Sequence, residues 1–108
     1  MTRYTDDDLI LKVDGVDLEE CSVISVTIKQ DPVTITKTNA DPEVSIADGT
    51  LIVHLSPEET AKFSAGVVYI QVRGLTKEGK SWATETEQKK VYGVLQEGVL
   101  NADQSKSE

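Results

Sequence analysis

Short runs of alternating apolar and polar residues, separated by turn residues, constrain this chain more than any other feature. From Leu9 onward such runs recur, with Asp, Gly, Asn or Pro between them. The clearest run places Ile24, Val26 and Ile28 on one side of an extended chain, with hydroxyl and amine side chains on the other. Because long helical patterns do not separate the runs, the sequence predicts an all-β sandwich or barrel.

The runs together predict about seven or eight short strands in an immunoglobulin-like or fibronectin-like β-sandwich. Asp48 and Gly49 predict a tight hairpin, and Gly79 allows a second turn. Two late strands are expected at residues 82–86 and 91–95. The inward-facing side chains predicted to form the core are Ile24, Val26, Ile28, Leu51, Val53, Phe63, Val68, Ile70 and Val72.

One segment departs from the two-residue period. Ser56 and Glu59 have the spacing of a capping box, and Pro57 stands at the first helical position, where its missing N–H is no loss. These residues predict a short helix near residues 57–63 that connects two strands. Such a connection lets the chain pass from one sheet to the other.

The length of 108 residues suits one domain with one core. Residues 9–100 are predicted to form that domain. Residues 1–8 are expected to be a mobile acidic lead-in and residues 101–108 a polar tail, since neither end shows periodicity.

Charge and cysteine content exclude several classes of protein. The net charge is −8, and no cluster of Lys and Arg is present to contact phosphates, so neither a nucleic-acid surface nor an anionic membrane is expected as a partner. No apolar stretch approaches the length of a membrane span or resembles a signal peptide. Cys21 is the only cysteine, which excludes an intrachain disulfide and fits folding in a reducing compartment.

A catalytic or metal site is hard to assemble from these residues. His54 lies two positions from Ser56, but Ser56 already has a role as a helix cap, so no catalytic residue is predicted. Asp14, Asp17 and Glu19 offer oxygen ligands without the spacing of a calcium loop, which favours a solvated acidic edge over a cation site. No cofactor is expected.

The aromatic residues supply the candidate interface. A sugar-binding platform usually presents several aromatic faces, and this chain has few aromatics, which weakens a glycan-binding function. Trp82 is expected to contribute to the core more than to a binding surface. If it is exposed it becomes the first interface residue, together with Tyr69 and Tyr92.

A longer stretch carries a family resemblance. The run Leu55–Phe63, then Gly66, then Tyr69–Arg73, then Thr76–Lys80, resembles small structural proteins of tailed bacteriophages and prophages. In particular it is similar to the immunoglobulin-like module at the N-terminus of phage baseplate upper proteins. The match covers residues 55–80, and the flanking strands match by pattern alone.

The resemblance implies a non-enzymatic structural or adaptor protein of the phage tail or baseplate, located in the host cytoplasm during assembly and then in the virion. It implies other virion proteins as partners, and we expect a homo-oligomer. Baseplate upper proteins continue into a trimer-forming region, whereas this chain has no heptad stretch, so the module alone is expected. The alternative is a stand-alone immunoglobulin-like module that binds a surface protein or a glycan.

Overall fold

The computed structural model describes residues 1–100, in which eight strands and one short α-helix follow one another along the chain. A single 3-10 turn, Leu18–Glu20, lies between the first two strands. The other elements, in order, are β1 (Asp7–Lys12), β2 (Cys21–Gln30), β3 (Val33–Thr38), β4 (Val44–Ala47), β5 (Thr50–Leu55), α1 (Pro57–Thr60), β6 (Gly66–Thr76), β7 (Ser81–Ala83) and β8 (Glu87–Val91).

Two antiparallel sheets pack face to face, which confirms the predicted all-β sandwich. The smaller sheet has the order β1-β5-β4. The larger sheet has the order β3-β2-β6-β7, and β8 also pairs with β6. These are the orders that immunoglobulin domains show for strands B-E-D and for strands C′-C-F-G.

The core lies between the sheets, and the alternation of the strands explains why. Every residue predicted to be in the core is at most 3% exposed. In the register of the larger sheet, Ile28 lies opposite both Ile35 and Ile70, so one inward side chain from each strand meets the next. A shift of the register by one residue would move such a set to solvent, which makes this pairing strongly specified.

The predicted hairpin between β4 and β5 is present. Asp48 and Gly49 have φ angles of 51° and 72°, as a type I′ turn requires. Glycine adopts this left-handed backbone without a steric penalty, and aspartate is one of the few other residues found there. The turn therefore suits the twist of the two strands that it joins.

The helix at the crossing begins as predicted but is shorter. Ser56 accepts a hydrogen bond from the Glu59 amide at 3.2 Å, and the Glu59 carboxylate accepts one from the Ser56 amide at 3.0 Å, which completes the capping box. The helix ends at Thr60 and not near residue 63 as predicted. The Lys62 and Phe63 amides bond three residues back in tighter turns, and Phe63 is fully buried, so the chain bends into the core.

Around this helix, buried polar groups connect elements that are distant in the sequence. The Glu59 carboxylate also accepts a hydrogen bond from Lys37 Nζ at 2.9 Å, and Lys37, on β3, is only 6% exposed. Burial alone would raise the pKa of Glu59, but the Ser56 amide and the Lys37 ammonium outweigh it and hold that pKa below its ordinary value. The fully buried Thr60 hydroxyl exchanges hydrogen bonds with both backbone groups of Thr5.

The two late strands differ from the prediction. β7 ends at Ala83. At the next position the Thr84 amide still donates to the Val72 carbonyl at 2.9 Å, but the Val72 amide donates to the Thr84 hydroxyl at 3.1 Å and not to a backbone carbonyl. The last strand is β8, which ends at Val91, where the predicted strand 91–95 was to begin. Val91 is the last buried side chain, and Leu95 is fully exposed, so no alternation continues beyond it.

Residues 1–8, predicted as a lead-in, take part in the sandwich. The Tyr92 amide donates to the Met1 carbonyl and the Arg3 amide donates to the Tyr92 carbonyl, both at 2.8 Å, so residues 1–3 run beside the end of β8. β1 begins at Asp7, two residues before the predicted boundary. The predicted polar tail, 101–108, lies outside the described residues.

We predict that Ser56→Ala lowers the free energy of unfolding by about 1 kcal/mol, because the Glu59 amide loses its acceptor at the helix start. Urea denaturation followed by circular dichroism measures the change. Ser64→Ala is the matched control, since Ser64 is exposed and only its backbone is hydrogen-bonded. An equal loss in both variants would contradict a capping role.

Candidate protein interface on the larger sheet

The outer face of the larger sheet, here called the β6 face, carries an unusual set of side chains. Because side chains alternate along each strand, the register determines which positions share this face. The members are Val23, Ser25, Thr27, Lys29, Thr34, Thr36, Thr38, Val67, Tyr69, Gln71, Arg73, Leu75, Ser81, Ala83, Gln88 and Lys90.

No carboxylate occurs on the β6 face, although the chain has 19 acidic residues and only 11 basic ones. Its charged members are Lys29, Arg73 and Lys90. Lys29 pairs with Asp31 in the adjoining turn at 3.5 Å, whereas Arg73 and Lys90 form no salt bridge with residues 1–100. The face is therefore locally cationic on an anionic protein.

Exposed apolar side chains accompany these cations. Val23 and Leu75 lie directly opposite each other across β2 and β6, and they are 45% and 37% exposed. Together with Arg73 they line a shallow depression of about 270 Å³. Further along β6, Val67 and Tyr69 are 37% and 47% exposed. Tyr69, Arg73 and the absence of Asp and Glu agree with the composition of protein interfaces, whereas the Lys and Ser residues of the face are types that interfaces contain less often.

The three residues predicted as interface candidates do not lie together. Tyr69 belongs to the β6 face, and Tyr92 is 56% exposed just beyond β8. Trp82 lies on the inner side of β7 and packs against the core, as its predicted core role requires. Sequence reasoning missed Val23, Arg73 and Leu75. The alternation that identified the core also marks these as outward positions.

Trp82 fills a space that a glycine leaves open. Its indole lies over Gly74, directly opposite on β6, so closely that a Cβ on Gly74 would collide with the ring. Its Nε1 is buried without a hydrogen-bond partner among the described residues. Trp82 also borders a cleft of about 430 Å³ that is lined by Leu11 of β1 and the following Val13 on one side and by Val72 of β6 on the other.

His54, the only histidine, is held by two carboxylates on the smaller sheet. Its Nδ1 is 2.8 Å from Asp8 Oδ1, and its Nε2 is 3.1 Å from Asp6 Oδ1. The hydrogen bond to Asp8 is the largest cause of a pKa raised above the ordinary value, and the charges of both carboxylates add to it. Both ring nitrogens are thus engaged by acids.

Two further groups of residues were candidates for chemistry: the pair His54 and Ser56, and the oxygen ligands Asp14, Asp17 and Glu19. The Ser56 hydroxyl accepts a hydrogen bond from the Glu59 amide, and no hydrogen bond joins it to His54 within residues 1–100. Asp17 caps the 3-10 turn by accepting from the Glu19 amide at 3.1 Å. Across residues 1–100, no three His, Cys, Asp or Glu side chains are grouped so that they could hold a metal ion.

Searches of family models, of curated proteins and of solved structures found no match to the chain. None of the helices within residues 1–100 has the length and apolar character that a bilayer crossing requires.

We predict that Gly74→Ala destabilises the domain by about 1–3 kcal/mol, because the added methyl group must displace the Trp82 ring. Trp82 is the only tryptophan, so its emission spectrum reports the displacement directly, and urea denaturation reports the free energy. Gly93→Ala is the control, since the nearest heavy atom to its new Cβ would be 4.0 Å away. An unchanged emission spectrum in Gly74→Ala would contradict the packing described.

We predict that His54 titrates above its ordinary pKa of about 6.5, and that Asp8→Asn moves the pKa back toward that value. Because the folded-state pKa is raised, protonated His54 stabilises the fold fully below the unfolded pKa, and this contribution disappears as pH rises through the folded pKa. A proton NMR titration of the single imidazole measures it. Asp14→Asn should leave the pKa unchanged; a wild-type pKa at or below the ordinary value would refute the pairing.

Proposed function

We propose that this chain is a non-enzymatic structural or adaptor protein of a tailed-phage or prophage virion, in the tail or baseplate, and that it acts through protein contacts. It would assemble in the host cytoplasm and remain in the virion. The observation that carries the assembly function is the β6 face, where exposed apolar side chains and cations occur without a single carboxylate.

The charge of the β6 face favours a particular kind of partner. Arg73 and Lys90 form no salt bridge within residues 1–100, so an acidic protein surface can pair with them without displacing an existing contact. Val23 and Leu75 then supply apolar area at the centre of the contact. Nucleic acid and membranes are not proposed as partners, because the rest of the surface is strongly anionic.

The phage origin is supported by the family resemblance of residues 55–80. Along that stretch the chain forms the end of β5, the capped helix α1, the long strand β6 and the turn that leads to β7. This is the order of elements on which the resemblance to baseplate modules depends. The proposal includes self-assembly, because a small virion module gains avidity when symmetry repeats it.

We predict that Arg73→Glu combined with Lys90→Glu weakens binding to the tail proteins of the same genome by about tenfold or more, because attraction becomes repulsion. Purified tail proteins immobilised one at a time, with the affinity measured at low and high salt, provide the test. The control is Lys62→Glu with Lys77→Glu, which makes the same charge change on exposed residues away from the β6 face.

Loss of binding in the β6-face variant alone supports the proposal. Equal binding by both variants would remove the β6 face from the contact. A wild-type protein that binds no tail protein but captures a surface protein or a glycan would favour the alternative function, a stand-alone binding module.

A further inference from the structure

β1 forms an open edge of the smaller sheet, and the hydrogen bonds of its neighbours show which of its backbone groups are free. The His54 amide donates to the Glu43 carbonyl at 2.8 Å, so the backbone of His54 points toward β4. Because successive residues of a strand point to alternate sides, Val53 and Leu51 point toward β1. Their partners there are Leu9 and Leu11.

It follows that the backbone groups of Asp8, Ile10 and Lys12 point away from the sheet. No backbone hydrogen bond to these three residues is formed across this edge within residues 1–100. Their side chains lie on the outer face of the smaller sheet, where Ile10 is 66% exposed. An edge of this kind is a ready template for another strand.

The outward side chains of β1 in one copy of the protein are complementary in charge to those of β1 in a second copy. When two copies of β1 run antiparallel about a two-fold axis at Ile10, Asp8 of one copy lies opposite Lys12 of the second copy. The same pair forms again on the other side of the axis, and the two Ile10 side chains meet at the centre. A parallel, in-register arrangement would instead place Asp8 beside Asp8 and Lys12 beside Lys12.

We propose that β1 is a homodimer interface, in which the β1 strands of two copies pair antiparallel with Ile10 on the two-fold axis. This register joins Asp8, Ile10 and Lys12 of one copy to Lys12, Ile10 and Asp8 of the other, and each facing pair can exchange two backbone hydrogen bonds. It therefore satisfies every outward-pointing backbone group of the edge. The two smaller sheets become one continuous sheet.

The neighbouring strand supports this arrangement. Ile52 lies opposite Ile10 on β5, so a row of four isoleucine side chains would cross the joined sheets and cover the exposed Ile10 pair. Asp8 Oδ1 contacts His54 Nδ1 at 2.8 Å, and the second carboxylate oxygen forms no hydrogen bond within residues 1–100, so it can accept one from Lys12 of the second copy. On the larger sheet, residues 1–3 run beside the end of β8 and already occupy part of that edge.

The inference extends the self-assembly part of the proposed function but uses a different surface. The β6 face belongs to the larger sheet and β1 to the smaller one, so each can be disabled separately. A dimer through β1 would present two β6 faces, and hence two sites for a tail protein.

Exchanging the charges at positions 8 and 12 tests the proposed register of the two β1 strands. Sedimentation velocity over a concentration series should show reversible dimers for the wild type. Asp8→Lys and Lys12→Asp should each weaken dimerisation by about tenfold, because like charges then face each other twice. The double variant Asp8→Lys/Lys12→Asp should return to within about threefold of the wild type, since opposite charges face each other again.

Cysteine trapping tests the two-fold axis. Facing residues in a hydrogen-bonded antiparallel pair have Cα atoms about 5.5 Å apart, within the range that a disulfide spans. Ile10→Cys should therefore give a covalent dimer under mild oxidation. Ser45→Cys is the matched control: it is exposed in the same cross-strand row but on β4, at the opposite edge. Free thiols are alkylated before denaturation, because Cys21 is buried in the native chain.

Each outcome bears on the proposal. A wild type that stays monomeric throughout, a dimer that ignores the charge exchange, or equal trapping at residues 10 and 45 would overturn it. Circular dichroism confirms that the variants fold, and Ile10→Lys provides a second disruption at an exposed position. The β6-face variant with Arg73→Glu and Lys90→Glu should dimerise normally, which separates failure of this inference from failure of the proposed function.

Discussion

The connection from β5 to β6 is one of three at which the described chain passes from one sheet to the other, and it is the one held by a largely buried ion pair. The Glu59 carboxylate joins two elements at this point: it closes the capping box of α1 and accepts a hydrogen bond from the ammonium of Lys37 on β3 at 2.9 Å. Both charged groups are largely out of water, where removing one partner leaves the other uncompensated. β6 therefore leaves the crossing from a well-determined position between β2 and β8.

Much of this fold could be predicted from local pattern. The two-residue alternation identified the core, and the spacing of Ser56 and Glu59 identified the helix start. What could not be predicted depends on contacts between distant residues. Lys37 occupies an inward position that alternation assigns to an apolar side chain, and its partner is 22 residues away. Just after β7, the Thr84 side chain accepts a hydrogen bond from the Val72 amide, which no propensity indicates.

For the surfaces, too, single residues could be predicted from the sequence, but their arrangement in space could not. Tyr69 could be selected from the sequence because it is aromatic and stands at an outward position. The absence of carboxylates from the β6 face became visible only when five strands were placed side by side. Asp8 falls within the predicted mobile acidic lead-in. Only the placement of β1 at the rim of a sheet shows that Asp8 and Lys12 stand at equal distances from Ile10, on opposite sides of it.

The separation of charge described for the β6 face has a consequence for how this protein approaches other molecules. The net charge of −8 and the cationic β6 face, which carries no carboxylate, mean that charge is distributed unevenly over the protein. In the field of an anionic surface such a molecule experiences a torque that turns the β6 face forward, even while its net charge resists the approach. Salt at physiological strength screens fields beyond about 8 Å, so this orientation develops only in the last step before contact.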